Sequence, residues 1–242
     1  MSQPRISQLD IWSVLRQILL RGLDLLQERP LPSASEPGLN RQLRVCFRSA
    51  YVELRAGHSG IPFPLPMREC ANQPFIEDEE QTPRERKIPD FQWGFWDDTA
   101  PVEQAERYFV VECKRLGSPL RSDQVFNELY VEKGIQRFVS AEHGYAAGEP
   151  SAAMIGYVQS MELQAIYTQV NAAASSSAIP HLNVDDAGWQ SGGTTHLFHR
   201  LIRPFPISPF DLEHYWVDLR PRTAVVSSVG TAQSEAPIVA TP

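Results

Sequence analysis

Arg107-Tyr108-Phe109-Val110-Val111-Glu112-Cys113-Lys114-Arg115-Leu116 is the stretch on which the fold turns. Its first half is aromatic and β-branched, the composition that suits a pleated, half-buried surface. Its second half becomes charged without a break. Alternate side chains of a strand share a face. Tyr108, Val110, Glu112 and Lys114 therefore point one way, and Phe109, Val111 and Cys113 point the other way, into a core. Upstream, residues 87–96 read as a second strand and residues 97–104 as a polar turn, with Asp97 and Asp98 at its tip. The two strands make a hairpin that sets Asp90, just after Pro89, beside Glu112 and Lys114.

On either side of the hairpin the pattern is helical. Over residues 7–27, Ile11, Leu15, Ile18, Leu19 and Leu26 fall on one side of a helix, which Pro30 and Pro32 end. A second helix starts at residues 33–37, where Ser33 or Ser35 can cap it and Pro37 is tolerated in the first turn. Its apolar face is Leu39, Leu43, Cys46, Phe47, Ala50 and Leu54. Glu36 and Asn40 extend that stripe at its N-terminal end, so a carboxylate faces the domain there. Residues 57–82 read as loop, with the acidic run Glu77–Glu80 as a solvated turn.

After a turn at 117–123, a helix is expected over 124–139. Val131, Ile135, Phe138 and Val139 point inward, while Tyr130, Lys133 and Arg137 form a polar stripe. A buried strand over 152–158 follows, then a helix over 160–173 with Leu163, Ile166 and Val170 on its face. Residues 172–177 and 185–193 read as loops, and 194–201 and 212–219 as a last pair of strands. Beyond Arg222 the chain is Ser/Ala/Thr/Val-rich, and a disordered tail is expected.

Bulk properties bound the function. The chain has 242 residues, the size of one α/β domain with small additions. A net charge of −7 argues against a histone-like or coat-like binder of polyanions but not against a locally basic groove. Cys46, Cys70 and Cys113 are three, widely spaced and without a CxxC pair, which points to a reducing, cytoplasmic location. The apolar stretch from Leu9 to Leu26 carries Asp10, Arg16, Arg21 and Asp24, too many charges for a membrane span.

Hydrolysis of a phosphodiester needs an activated water, neutralised charge on the phosphate and a stabilised leaving oxygen. A hard divalent cation held by two carboxylates serves all three needs. An ammonium two residues after the second carboxylate, on the same strand face, can orient the water or offset the developing charge. Pro89-Asp90 followed by Glu112-Cys113-Lys114 has this pattern. It resembles the PD-(D/E)XK, or restriction-endonuclease-like, nuclease family, and the likeness extends over residues 36–219, with its specific part in the hairpin. Cys113 between the Glu and the Lys is a tolerable departure.

The resemblance implies an α/β fold with a four-stranded mixed sheet flanked by helices, here with additional C-terminal strands. It divides the chain into an N-terminal helical extension at 1–32, a nuclease-like domain at 33–221 and a tail at 222–242. It implies nucleic-acid hydrolysis, DNA above all, with Mg²⁺ or Mn²⁺. Asp90, Glu112 and the Cys113 carbonyl would ligate the metal. Lys114 would assist attack, and Glu36 would be an outer-shell or second-metal carboxylate. A role in anti-phage defence or DNA repair would follow from the same resemblance.

Bland explanations stand beside these. Any Glu in a first helical turn stabilises the helix dipole, which covers Glu36 too. Tyr130, Lys133 and Arg137 read most simply as a solvated face, although Lys133 or Arg137 could clamp a phosphate and Gln136 could touch substrate. Trp93, Trp96 and Trp216 read as packing. His196 and His199 face opposite ways on one strand, and Cys113, turned inward with no His beside it, is no nucleophile. The competing function is a catalytically inactive nuclease-like module that docks a partner protein, which the acidic charge favours. The first helix could seal the domain or pair two copies in a homodimer.

Overall fold

In the computed structural model, residues 8–30, 34–55, 66–72, 80–119 and 125–221 are described. The expected tail at 222–242, the Ser33 cap and most of the loop over 57–82, including Glu77 to Glu79, lie outside them. So does the end of the turn at 117–123.

One sheet organises the molecule. Its seven strands are β1 (Met67–Arg68), β2 (Phe91–Trp96), β3 (Glu106–Leu116), β4 (Ser151–Val158), β5 (Asn183–Val184), β6 (Thr194–Leu201) and β7 (Phe210–Asp218), in the spatial order β1-β2-β3-β4-β7-β6-β5. β3, β4 and β7 run parallel at the centre, and the outer pairings are antiparallel. The sheet is mixed as expected, but it has seven strands, not four. β7 inserts beside β4 and makes the late strand pair part of the central sheet. The two edge strands are two residues each, too short to show any alternation in sequence.

Helices cover both faces. On one side lie α1 (Gln8–Gln27) and α2 (Glu36–Arg55), sharing a core with Phe91, Trp93, Phe109, Val111, Cys113, Ile155 and Tyr215. On the other lie α3 (Phe126–Tyr130), a π turn at Val131–Ile135, α4 (Gln136–Val139) and α5 (Leu163–Ser176), packed on Val110, Met154, Leu197, Leu212 and Trp216. Phe109, Val111 and Cys113 do point into a core. The opposite face of β3 is covered as well, as parallel strands at the centre of a sheet require.

The α2 start follows its sequence signals. The Ser35 hydroxyl accepts the Gly38 N–H at 3.3 Å, and the Ser35 carbonyl accepts the Leu39 N–H. α1 seals one face: Trp12 stacks edge-on against Phe109 with ring centroids 4.9 Å apart. Among the described residues no helix is long and apolar enough to cross a membrane.

Some local expectations are corrected. α5 runs on to Ser176 instead of giving way to a loop at 172, its Ser hydroxyls bonding back to carbonyls one turn earlier. Tyr130 does not belong to a polar stripe. It is wholly buried, within 2.8 Å of His214 Nδ1, and accepts the Trp216 indole N–H at 3.1 Å. The π turn that follows it breaks the 3.6-residue register, so spacing does not carry across it. Trp93 and Trp216 are packing residues, but Trp96 is 53% exposed.

Candidate active site

β3 delivers Glu112 and Lys114 to a point where both helical layers reach the sheet. Glu112 is fully buried and Lys114 is 7% exposed. Asp90 arrives from the neighbouring strand, at the residue before β2. Both of its oxygens are held: Oδ2 accepts the Cys113 N–H at 2.7 Å, and Oδ1 accepts the Asn40 side-chain amide at 2.8 Å. Asn40 is oriented in turn by the Tyr157 hydroxyl, which donates to its Oδ1 at 2.8 Å. The carboxylate is thus fixed from β3 and α2 at once.

An ammonium has three protons to donate, and Lys114 uses all three. Nζ donates to Glu112 Oε1 at 2.7 Å, to the Cys113 carbonyl at 2.8 Å and to Glu36 Oε1 at 2.9 Å. Glu36 reaches the cluster from the first turn of α2, on the stripe that runs inward. From the other layer, Arg137 Nη1 donates to Glu112 Oε1 at 2.5 Å, and its guanidinium lies 5.8 Å from the centre of the Tyr145 ring. The helical layer comes this close through Gly134 in the π turn. A Cβ there would stand 2.4 Å from Met154 Cε and 3.3 Å from Lys114 Cγ.

The electrostatics follow from burial. The Glu112 carboxyl is pushed up to about 8, first by loss of water and then by the Asp90 charge, with Lys114 and Arg137 pulling the other way. Asp90 is also raised by burial, with Lys114 and the Cys113 N–H opposing. Burial lowers Lys114, but Glu112, Glu36 and Asp90 more than offset it, so the ammonium holds its proton more firmly than usual. Arg137 is raised for the same kind of reason: burial opposes, and Glu112 and Tyr145 outweigh it.

Asp90, Glu112, Lys114, Glu36 and Arg137 therefore meet, and the Cys113 carbonyl lies among them as an acceptor for Lys114. Lys133 is exposed, and Gln136 is half-buried with no hydrogen bond to the cluster among the described residues. Asn40, Tyr145 and Tyr157 complete the arrangement without having been assigned roles from sequence. Only Asn40 left a signal there, four residues after Glu36 on the same buried stripe.

A cation suits this donor set. Glu112 Oε1 receives both Lys114 and Arg137, whereas Glu112 Oε2 is buried and has no hydrogen-bond partner among the described residues. A buried, unmatched carboxylate oxygen beside a second carboxylate is where added positive charge gains most. The set is small: among the described residues no group of three or more His, Cys, Asp or Glu is arranged to hold a metal ion. Two carboxylates with water and substrate oxygens are what Mg²⁺ ordinarily takes. Set beside known proteins, the chain matches no family model, no curated protein and no solved structure.

Proposed function

We propose that this protein hydrolyses phosphodiester bonds in nucleic acid, DNA first, with Asp90 and Glu112 holding Mg²⁺ or Mn²⁺. The observation that carries this reading is a convergent pair of acids and a lysine in which one buried carboxylate oxygen has no hydrogen-bond partner among the described residues. When bound, the cation would supply an activated water and neutralise charge on the phosphate. The chain's own residues would do the rest. Asn40 and the Cys113 N–H fix the angle of Asp90. Lys114, held by Glu36 and Glu112, stays protonated and presents a fixed positive charge to a phosphate oxygen as negative charge builds there. Arg137 adds a second cation from the opposite layer. No disulfide joins the cysteines among the described residues, which suits a reducing compartment.

A non-catalytic docking module is the second reading, favoured by the closed ion cluster in which Lys114 already has three acceptors. One experiment separates the two. The full chain is incubated with plasmid, linear duplex, single-stranded DNA and RNA, with Mg²⁺, Mn²⁺ or EDTA. Metal-dependent cutting is expected, slower by roughly a hundredfold or more in Asp90→Asn and Lys114→Met, with circular dichroism checking each fold. A wild-type protein that cuts nothing under any metal leaves the docking module.

A further inference from the structure

A cavity of about 570 Å³ opens beside the candidate active site, on the face of the sheet away from α1 and α2. That volume is ample for a small planar ligand. Arg84, Gln92, Trp96, Tyr108, Val110 and Ala147 are among its lining residues. Its position relative to the acids is set by strand register. Gln92 lies two residues after Asp90, Val110 lies two residues before Glu112, and the two are cross-strand partners. Two residues advance a strand by about 6.6 Å, close to the step of one nucleotide along an unstacked strand.

The lining has the chemistry of a base site. Gln92 is only 1% exposed, yet its amide Oε1 is buried without a hydrogen-bond partner among the described residues. A native fold rarely leaves such a group unmatched, because burying it unpaired costs free energy. Trp96 keeps half its surface in the open at the far end of β2. The Tyr108 ring lies across Gly94, where an added Cβ would stand 3.3 Å from Cε1, and its hydroxyl is already engaged by Glu106. The lining also carries Glu103, Glu106, Arg107 and Glu149, with Arg107 and Glu149 paired with each other at 2.8 Å, so the aromatic surface and the unmatched Gln92 oxygen stand among charged groups.

We propose that the cavity receives an unstacked nucleobase next to the scissile phosphate. Trp96 and Tyr108 supply ring surface, and Gln92 accepts a hydrogen bond from the base edge. Sequence-tolerant stacking and a single amide contact would make this a site for an unpaired or extruded nucleotide more than for a base sequence.

The inference rests on the hydrolase reading, and its test tells the two apart. The full chain cuts a short oligodeoxynucleotide duplex with Mn²⁺, and the cut is mapped. An abasic residue then replaces each flanking nucleotide in turn. At one position the abasic change is expected to slow the wild type about tenfold, and in Trp96→Ala that intact-to-abasic ratio is expected to fall to roughly one. Gln92→Leu, which keeps bulk and removes the amide, is expected to lower the ratio as well. Should that buried variant not fold, Trp96→Ala at its exposed position decides alone. A wild type that cuts but ignores every abasic position, or a penalty equally large in Trp96→Ala, overturns the base site and leaves the hydrolase reading standing. A wild type that cuts no nucleic acid overturns both.

Discussion

A carboxylate stripped of water can be satisfied by a proton, by a neighbouring cation or by a metal ion, and Glu112 is placed between all three. Lys114 and Arg137 crowd Oε1, while Oε2 faces no described donor. A divalent cation bound there stabilises the folded state alone, by about 2.7 kcal/mol when its concentration is a hundred times its dissociation constant. The wild-type unfolding midpoint is therefore expected to rise with Mn²⁺ and return with EDTA. Glu112→Gln and Asp90→Asn keep the shapes and remove the charges, and the rise should vanish in both. Scanning calorimetry with and without metal reads this directly, and an undiminished rise in Glu112→Gln would place the ion elsewhere. Much of this cluster was legible in the chain. Glu112 and Lys114 share a face by strand parity, and Glu36 was marked by its place on an inward stripe. Tyr157 and Tyr145 were not, because a hydroxyl that meets a side chain more than a hundred residues away, or one on a separate loop, leaves no local pattern. Arg137 looked like a surface cation for the same reason, since only the tertiary fold brings Glu112 beneath it.

At the scale of elements, packing overrules propensity at Gly22. Alanine is the better helix former by about 1 kcal/mol, so α1 taken alone would gain from Gly22→Ala. In the folded protein the new Cβ would stand 2.4 Å from Phe47 Cδ1. Phe47 has nowhere to go: it is fully buried and packs edge-on against Phe91 and Trp93, each at 5.3 Å between ring centroids. Gly22→Ala is therefore expected to destabilise by about 1–3 kcal/mol, measured as a lower urea midpoint with an unchanged slope. A gain in stability would mean that α1 does not lie this close to α2. The sequence showed both helices and their buried faces through the spacing of Leu, Ile and Phe. It could not show the helical segment over 126–139 correctly, because a π turn inserts itself where Val131-Glu132-Lys133-Gly134-Ile135 looks like ordinary helix. That turn sends Tyr130 into the core and lets Gly134 rest on the Lys114 stem.

Across the whole molecule, the last pair of strands was expected over 194–201 and 212–219, close to the observed Thr194–Leu201 and Phe210–Asp218, but their partners were not visible. Nothing local tells β7 to lie parallel to β4, and only that pairing joins the late strands to the central sheet. The same placement gives α1 its anchor. Arg16 bonds Glu213 on β7, and Gln27 donates to the carbonyls of Gly193 at 3.0 Å and Asp218 at 3.1 Å. Glu213 also accepts the Tyr215 hydroxyl and stands 3.6 Å from His196 Nε2, an ion-pair separation longer than a hydrogen bond. Burial would raise Glu213, but His196, Arg16 and Tyr215 outweigh it and hold it down at about 2, below its ordinary 4.5. A depressed carboxylate stabilises the fold above 4.5 and loses that contribution as pH falls toward 2. His196 is shifted the other way, raised above 6.5 by Glu213 against burial, with Asp185 adding to it. Its contribution is complete below 6.5 and fades as pH rises through the raised value. The two overlap between 4.5 and 6.5, so this anchor is strongest there. Arg16 is half exposed, so solvent screening reduces the gain to about 1–2 kcal/mol. Thermal unfolding from pH 3 to pH 9 should therefore show wild type exceeding Glu213→Gln by the widest margin near pH 5.5, with the gap narrowing on both sides. A gap independent of pH would mean that Glu213 holds α1 through shape alone, with no part played by its charge.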